Sequence, residues 1–437
     1  MPESADKAAM APTIHGLSAF RPFQLLPKAA AGVTSAAPTA PPLSAGVQRV
    51  VSLVKKGDLD KAEEREVINF VRSASAYELN MMLYTVDAHA LFEAVENTFG
   101  FFGIGGDKNG DALRVALGAR GKDIDVYRKN KLITEMQMWG TDDEDEQLIT
   151  DLILAAKGPE LTTLKRLIDL GNESHDFKNL MTDDVDDKGR RAQILAHVKA
   201  EAPKATASSP VKIYSDIDDT FRRGWMDPRF PNGAVYPGVK QLYLELDQGP
   251  QGGDPTGDLL FLTARPSLFN ILEDNTLAGL NKDGIVEASV LEGSVGAMVG
   301  NDKIAAKKVA NYDTHREYYP EYNSVFIGDN GQGDHIAGEK MLAEKPPPKA
   351  VFIHNVDPKF PAAERKRLEA LGIVFFDSYV DAAIAAYQKG LISRAGLKRI
   401  ADAAKADLPK IKGMTAAQLA GANAALNAAL VREKAIP

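Results

Sequence analysis

The chain has 437 residues, 44% of them hydrophobic and 26% charged, with a formal net charge of −8. That length corresponds to about three domains and buries a large core, which excludes disorder throughout. The absence of cysteine excludes disulfides, cysteine nucleophiles and thiolate metal sites, and the acidic balance opposes nucleic-acid binding, which calls for a basic footprint.

Residues 1–45 are rich in Ala, Pro, Ser and Thr without a periodic apolar pattern, which predicts a disordered arm. Arg21, Pro22 and Pro27 break its only apolar stretch, so it does not read as a secretory leader. No run approaches the ~18 apolar residues that cross a bilayer. A cytoplasmic protein without a transmembrane segment is expected.

Residues 46–202 read as a helical domain. Val67, Phe70 and Val71 share one helical face. Ser75 and Glu78 have capping-box spacing, and Thr141 and Glu144 repeat it. Between them lies a Gly-rich loop, residues 100–111. There Asp107, Asn109 and Asp111 imitate the start of a calcium loop, but Gly118 stands where a bidentate Glu is required and Ala112 where Gly is needed. A polar surface turn is the expectation. The segment from Trp139 to Glu144, with the helices after it, faintly resembles an annexin repeat; the capping reading accounts for the same residues without calcium. Residues 202–210 read as a linker.

After the linker the period changes. Short apolar runs at Val211–Tyr214, Leu259–Leu262, Ser324–Ile327, Ala350–Ile353 and Ile373–Phe376 alternate with helical stretches. That alternation predicts an α/β fold, a doubly wound parallel sheet covered on both faces, over residues 211–390. A helical tail follows over 391–437. Residues 341–437 hold fifteen Lys and Arg against nine Asp and Glu, a balance that favours either a solvated face or contact with an anionic surface.

Chemistry concentrates at the ends of these runs. Ser215-Asp216-Ile217-Asp218-Asp219-Thr220 places two carboxylates on one side of a strand end, where open α/β sheets bind ligands. Such a pair repels unless a cation lies between the carboxylates or one keeps its proton. Asp219 points the other way and caps the following turn. Thr263 follows the second run, Asp329 and Asp334 follow the third, and Lys303, Lys307 and Lys308 lie between.

This order resembles the haloacid-dehalogenase superfamily of phosphotransferases, whose signature is D-x-D-x-T, then Ser or Thr, then Lys, then an acid pair. Val235–Val239 and Gly328–Asp334 further resemble the branch of lipins and the fungal actin-patch phosphatidate phosphatase. Two positions depart from that branch: Thr263-Ala264-Arg265-Pro266 replaces a Ser-Asn-Ser-Pro form, and His354 stands where an Arg is common.

The resemblance implies a Mg²⁺-dependent phosphatase without a large cap. Asp216 would be the nucleophile and Asp218 the general acid and base. Asp216 and Asp329, with the backbone carbonyl of Asp218, would hold the metal, and Asp334 would either support those ligands from behind or be a further one. Thr263 and a lysine would bind the phosphoryl group. Lys308, on the helix leading to Tyr319-Pro320, is preferred over Lys303 and Lys307. Short inter-motif stretches leave little for a cap, so residues 46–200 are the candidate lid. The partner is a phosphorylated substrate, with a membrane lipid among the candidates. The rival readings are a soluble or protein-borne phosphate as substrate, and a non-catalytic phosphate- or membrane-binding module. Trp139 and Trp225 read as core or rim residues rather than stacking platforms, Trp225 within reach of the site mouth; Arg222 and Arg223 read as anion contacts or an exposed basic pair, and His335 as a polar loop residue or a spare acid and base.

Overall fold

The computed structural model describes residues 43–96, 108–169, 176–205, 211–252, 259–266, 288–293 and 300–437. The expected arm lies outside them up to residue 42.

The helical region begins at Ala45. It comprises α1 (Ala45–Lys56), α2 (Lys61–Ser73), α3 (Ala76–Thr85), α4 (Ala88–Glu96), α5 (Lys108–Ala119), α6 (Val126–Trp139), α7 (Asp143–Ala155), α8 (Pro159–Asp169) and α9 (Lys188–Ala205). Amphipathic spacing drives the packing: Val67 and Val71 of α2, Leu79 and Met82 of α3 and Leu91 of α4 are buried in one core, each burial stabilising by about 1.5–3 kcal/mol.

Ser75 and Glu78 form the expected capping box. At α7 the cap is instead Asp142, which accepts from the Asp145 N–H, while Thr141 donates its hydroxyl to the Asp184 carbonyl. A carboxylate one residue closer to the helix displaced the threonine. Asn109 and Asp111 lie in the first turn of α5, with Asn109 bonded to Glu64. That stretch is therefore a helix start rather than a surface turn or calcium loop; Asp107 lies outside the described residues. The expected linker is helical as far as Ala205.

The apolar runs become strands β1 (Val211–Ser215), β2 (Leu259–Pro266), β4 (Asn323–Asp329), β5 (Ala350–His354) and β6 (Val374–Phe376), and β3 (Ala288–Gly293) joins them at one edge. Every pairing is parallel, in the order β3-β2-β1-β4-β5-β6. Helices cover both faces, as the apolar strands require. Alternate residues serve alternate faces: Ile213, Val325 and Phe352 pack with α10 (Val239–Gln248) and its neighbours, whereas Tyr214, Phe326 and Val351 face α11 (Asn301–Tyr318), α12 (Asp334–Ala343) and α13 (Ala362–Ala370).

The helical tail is not loose. α14 (Tyr379–Gln388), α15 (Arg394–Asp407) and α16 (Ala416–Lys434) share a core of Val380, Ala401, Ala404, Leu426 and Leu430. Gly238, at φ +84°, lets α10 start against α15: an added Cβ there would lie 3.1 Å from the Ala404 Cβ.

Residues Leu43–Pro437 form one compact unit. The helical region joins the sheet near the beginnings of β1 and β4. Lys165 of α8 donates to the Tyr318 carbonyl at 2.7 Å and pairs with Glu321 at 2.8 Å, and the Tyr319 hydroxyl donates to Asp169 at 2.6 Å. Lys212, near the start of β1, lies with its ammonium 4.7 Å from the centre of the Tyr319 ring. The candidate carboxylates sit at the other ends of those strands. With ~3.3 Å of rise per residue, β4 alone separates the two places by roughly 20 Å. The described residues of the helical region therefore brace the base of the sheet, and among them none supplies the lid expected of it.

Candidate active site at the switch between β1 and β4

The strand order reverses between β1 and β4, and the crevice outside such a reversal is where open α/β sheets bind ligands. Asp216 follows β1 directly, Asp329 ends β4 and Asp334 opens α12. The Asp216 N–H donates to the Ile327 carbonyl at 2.9 Å, which ties the two strand ends together. Glycines permit the close approach of α12. A Cβ at Gly328 would fall 2.6 Å from the Asp334 Cβ, and one at Gly333 would fall 2.3 Å from the Asn301 carbonyl oxygen.

The three carboxylates are buried, with ligand oxygens within 4.8 Å of one another. Lys308 of α11 reaches between two of them. Its ammonium lies 2.7 Å from Asp216 and 2.5 Å from Asp334. Of the three candidate lysines, Lys303 is exposed and Lys307 half-buried, whereas Lys308 is buried.

Burial pushes the Asp216 carboxyl up to about 7, against the opposing pull of Lys308. Burial, together with Asp334 and Asp216, raises Asp329 well above the usual carboxylate range. Against the lowering effect of burial, Asp216 and Asp334 hold Lys308 above its ordinary value. One ammonium thus leaves the cluster short of positive charge. Asp329 shows the shortfall directly: its Oδ1 accepts from the N–H groups of Gly331 and Gln332 at 2.6 and 3.1 Å, while its Oδ2 is buried with no partner. A hard oxygen donor set with an orphaned oxygen suits a metal ion. The triad can hold one.

Asp219 shapes the loop after β1. Its carboxylate accepts from the N–H groups of Gly224, Trp225, Met226 and Asp227 at 2.8–3.2 Å. Its backbone takes φ +59°, a left-handed conformation that costs energy for a residue with a side chain. The Asp219 carbonyl accepts from His354 Nδ1, and His354 Nε2 accepts from Arg229, which also grips Asp227 through both carboxylate oxygens. Burial, aided by Arg229, lowers His354 to about 4, so the ring stays neutral at pH 7 and the bonds fix its tautomer. The Tyr236 hydroxyl completes the chain, donating to Asp227 at 3.1 Å.

Sequence reasoning did not find Asp227, Arg229 and the bracing role of His354. The compact Asp-Pro-Arg at 227–229, an acid and a base either side of a turn-forming proline, was the available signal.

Asp218 is half-buried beside the triad residues in sequence and adds no carboxylate to the triad. Thr263 lies in β2, the strand next to β1. Arg222 and Arg223 are half-buried, and Arg223 donates to the Asp227 carbonyl at 3.0 Å, a loop tie rather than a free anion contact. His335 sits in the first turn of α12 with its ring edge-on to Phe360, and its Nδ1 is buried without a partner. Comparison with protein families, curated proteins and solved structures finds no match.

Proposed function

We propose that the chain is a Mg²⁺-dependent phosphatase of the haloacid-dehalogenase type, acting on a phosphate monoester through an aspartyl-phosphate. The observation that carries this reading is the buried triad at the strand switch with Lys308 between Asp216 and Asp334. A single buried ammonium among clustered carboxylates suits a site that receives a cation and a dianionic phosphoryl group together.

In this reading an Asp216 oxygen attacks phosphorus, and the bond from phosphorus to the ester oxygen breaks. Asp218 gives its proton to the departing oxygen. Water then attacks the phosphorus of the aspartyl-phosphate, Asp218 takes the proton, and inorganic phosphate leaves with Asp216 restored. Lys308 stabilises the charge that gathers on the phosphoryl oxygens, and Thr263 donates to them. Asp216, Asp329 and Asp334, with the Asp218 carbonyl, would hold Mg²⁺, which when bound supplies positive charge against the phosphoryl oxygens. The Asp219–His354–Arg229–Asp227 chain holds the loop that carries Asp218.

A phosphate on a membrane lipid is a narrower version of the same proposal. Beside the family branch and the absence of a large cap, its support is the basic balance of residues 341–437, which one pair with an acid outside the segment, Arg399 with Glu245, reduces. No helix among the described residues is long and apolar enough to cross a membrane.

The test is phosphate release from a panel of soluble, protein-borne and vesicle-borne phosphate monoesters, with Mg²⁺ and with chelator. Mg²⁺-dependent release from any class supports the proposal. Binding of phosphate compounds without release would favour the non-catalytic module.

A further inference from the structure

Among the described residues, Trp225 is the most exposed large apolar side chain, with 80% of its surface open to solvent. It does not sit on a loose segment. Its N–H donates to the buried Asp219 carboxylate at 2.8 Å, within the set of four such bonds that closes the loop. Arg223 pairs through its backbone with Ala234 and Gly233 at 2.8 and 2.9 Å, so the loop is also held as a narrow ribbon. Holding an indole in water on a braced loop sacrifices the burial that a tryptophan normally finds.

The neighbouring residue fixes where this loop stands. Met226 packs on Gly331: a Cβ there would lie 2.7 Å from the Met226 Cγ and 3.1 Å from the Asp329 Oδ1. The Met226 side chain and the triad carboxylate both close on one glycine. Trp225 is thus an exposed indole one residue before a side chain that lies against the edge of the carboxylate cluster.

We infer that Trp225 is a specificity-determining residue that holds the organic part of the ester, a flat apolar or aromatic leaving group, while the phosphoryl group lies against Lys308 and Asp216. The inference rests on the phosphatase reading and deepens it by naming the substrate class. The polar crevice recognises what every phosphate monoester shares. The indole face recognises what differs among them.

The experiment compares benzyl phosphate with ethyl phosphate, whose alcohols are similarly poor leaving groups, on the full-length chain with Mg²⁺. Loss of one aromatic contact corresponds to about tenfold in affinity. Trp225→Ala should lower the benzyl-over-ethyl ratio of kcat/KM about tenfold, with the change in KM, and Trp225→Phe should recover much of it. Because the side chain projects into solvent, the melting temperature of both variants should stay within a few degrees of the parent. Equal losses on the two esters, or a loss confined to kcat, would overturn the role of Trp225 and leave the phosphatase reading standing. If the parent chain cleaves neither ester, this inference falls, and the phosphatase reading is decided by the wider phosphate panel.

Discussion

Replacing Lys308 with Met keeps most of the side-chain volume and removes the ammonium placed between Asp216 and Asp334. Removing one partner of a buried ion pair typically costs about 3–5 kcal/mol, because the other is left buried and uncompensated. Here a proton can relieve the loss. Asp216 titrates near 7 in the folded chain against an ordinary value of 3.8, so between those values the folded chain holds more protons than the unfolded one. Stability contributed by this group is therefore greatest below about pH 4 and falls as pH rises towards 7. Without Lys308 the folded carboxyls hold their protons to still higher pH, which steepens and extends that fall. Lys308→Met should lose at least ~3 kcal/mol at pH 8 in chelator, and less than about half of that at pH 5. Urea unfolding followed by circular dichroism at both pH values measures the difference. A loss below ~1 kcal/mol at pH 8, or an equal loss at both, would refute the claim that this lysine balances the cluster.

Millimolar Mg²⁺ should raise the melting temperature of the parent chain at pH 8 by mass action on the folded state, and Asp329→Ala should remove most of that rise; an unchanged rise in the variant would place the metal elsewhere. Asp218→Asn should slow release of ethyl phosphate's alkoxide far more than release of nitrophenolate, which needs little protonation; equal slowing on both would make Asp218 a structural residue. Asp219→Ala leaves four N–H groups without their acceptor, at ~1–3 kcal/mol for each that stays dry, so a loss of at least ~2 kcal/mol with reduced turnover is expected. An unfolding midpoint equal to the parent's would contradict the bracing role given to Asp219.

The sheet was legible where strands are buried on both faces. Ser324–Ile327 and Ala350–Ile353 are apolar enough to stand out, and both fall inside strands. β3 (Ala288–Gly293) was missed because Ala-Ser-Val-Leu-Glu-Gly is short and mixed in polarity, as edge strands often are.

The acid cluster was readable because its members follow apolar runs at strand ends. Choosing among the lysines needed the face of α11. Ile304, Ala305, Tyr312 and His315 are buried on it, and Lys308 lies on that same helical face, four residues from Ile304 and from Tyr312. Lys303 and Lys307 fall off it. The Asp227–Arg229–His354 chain was not legible, since its residues meet only through the tertiary fold. The lid assignment failed for a related reason: composition identifies a helical region but not the end of the sheet on which it docks.

The central claim is that Asp216 becomes covalently phosphorylated. An acyl phosphate is reduced by borohydride to an alcohol, converting the aspartate to homoserine, which mass spectrometry locates by residue. Acid-quenched, turning-over protein treated in this way should carry the reduced residue at position 216, dependent on Mg²⁺ and absent from Asp216→Asn, which should also have lost turnover while keeping its melting temperature. Sustained phosphate release by a folded Asp216→Asn variant, or parent protein trapped during turnover with the modification at another residue, would contradict the account.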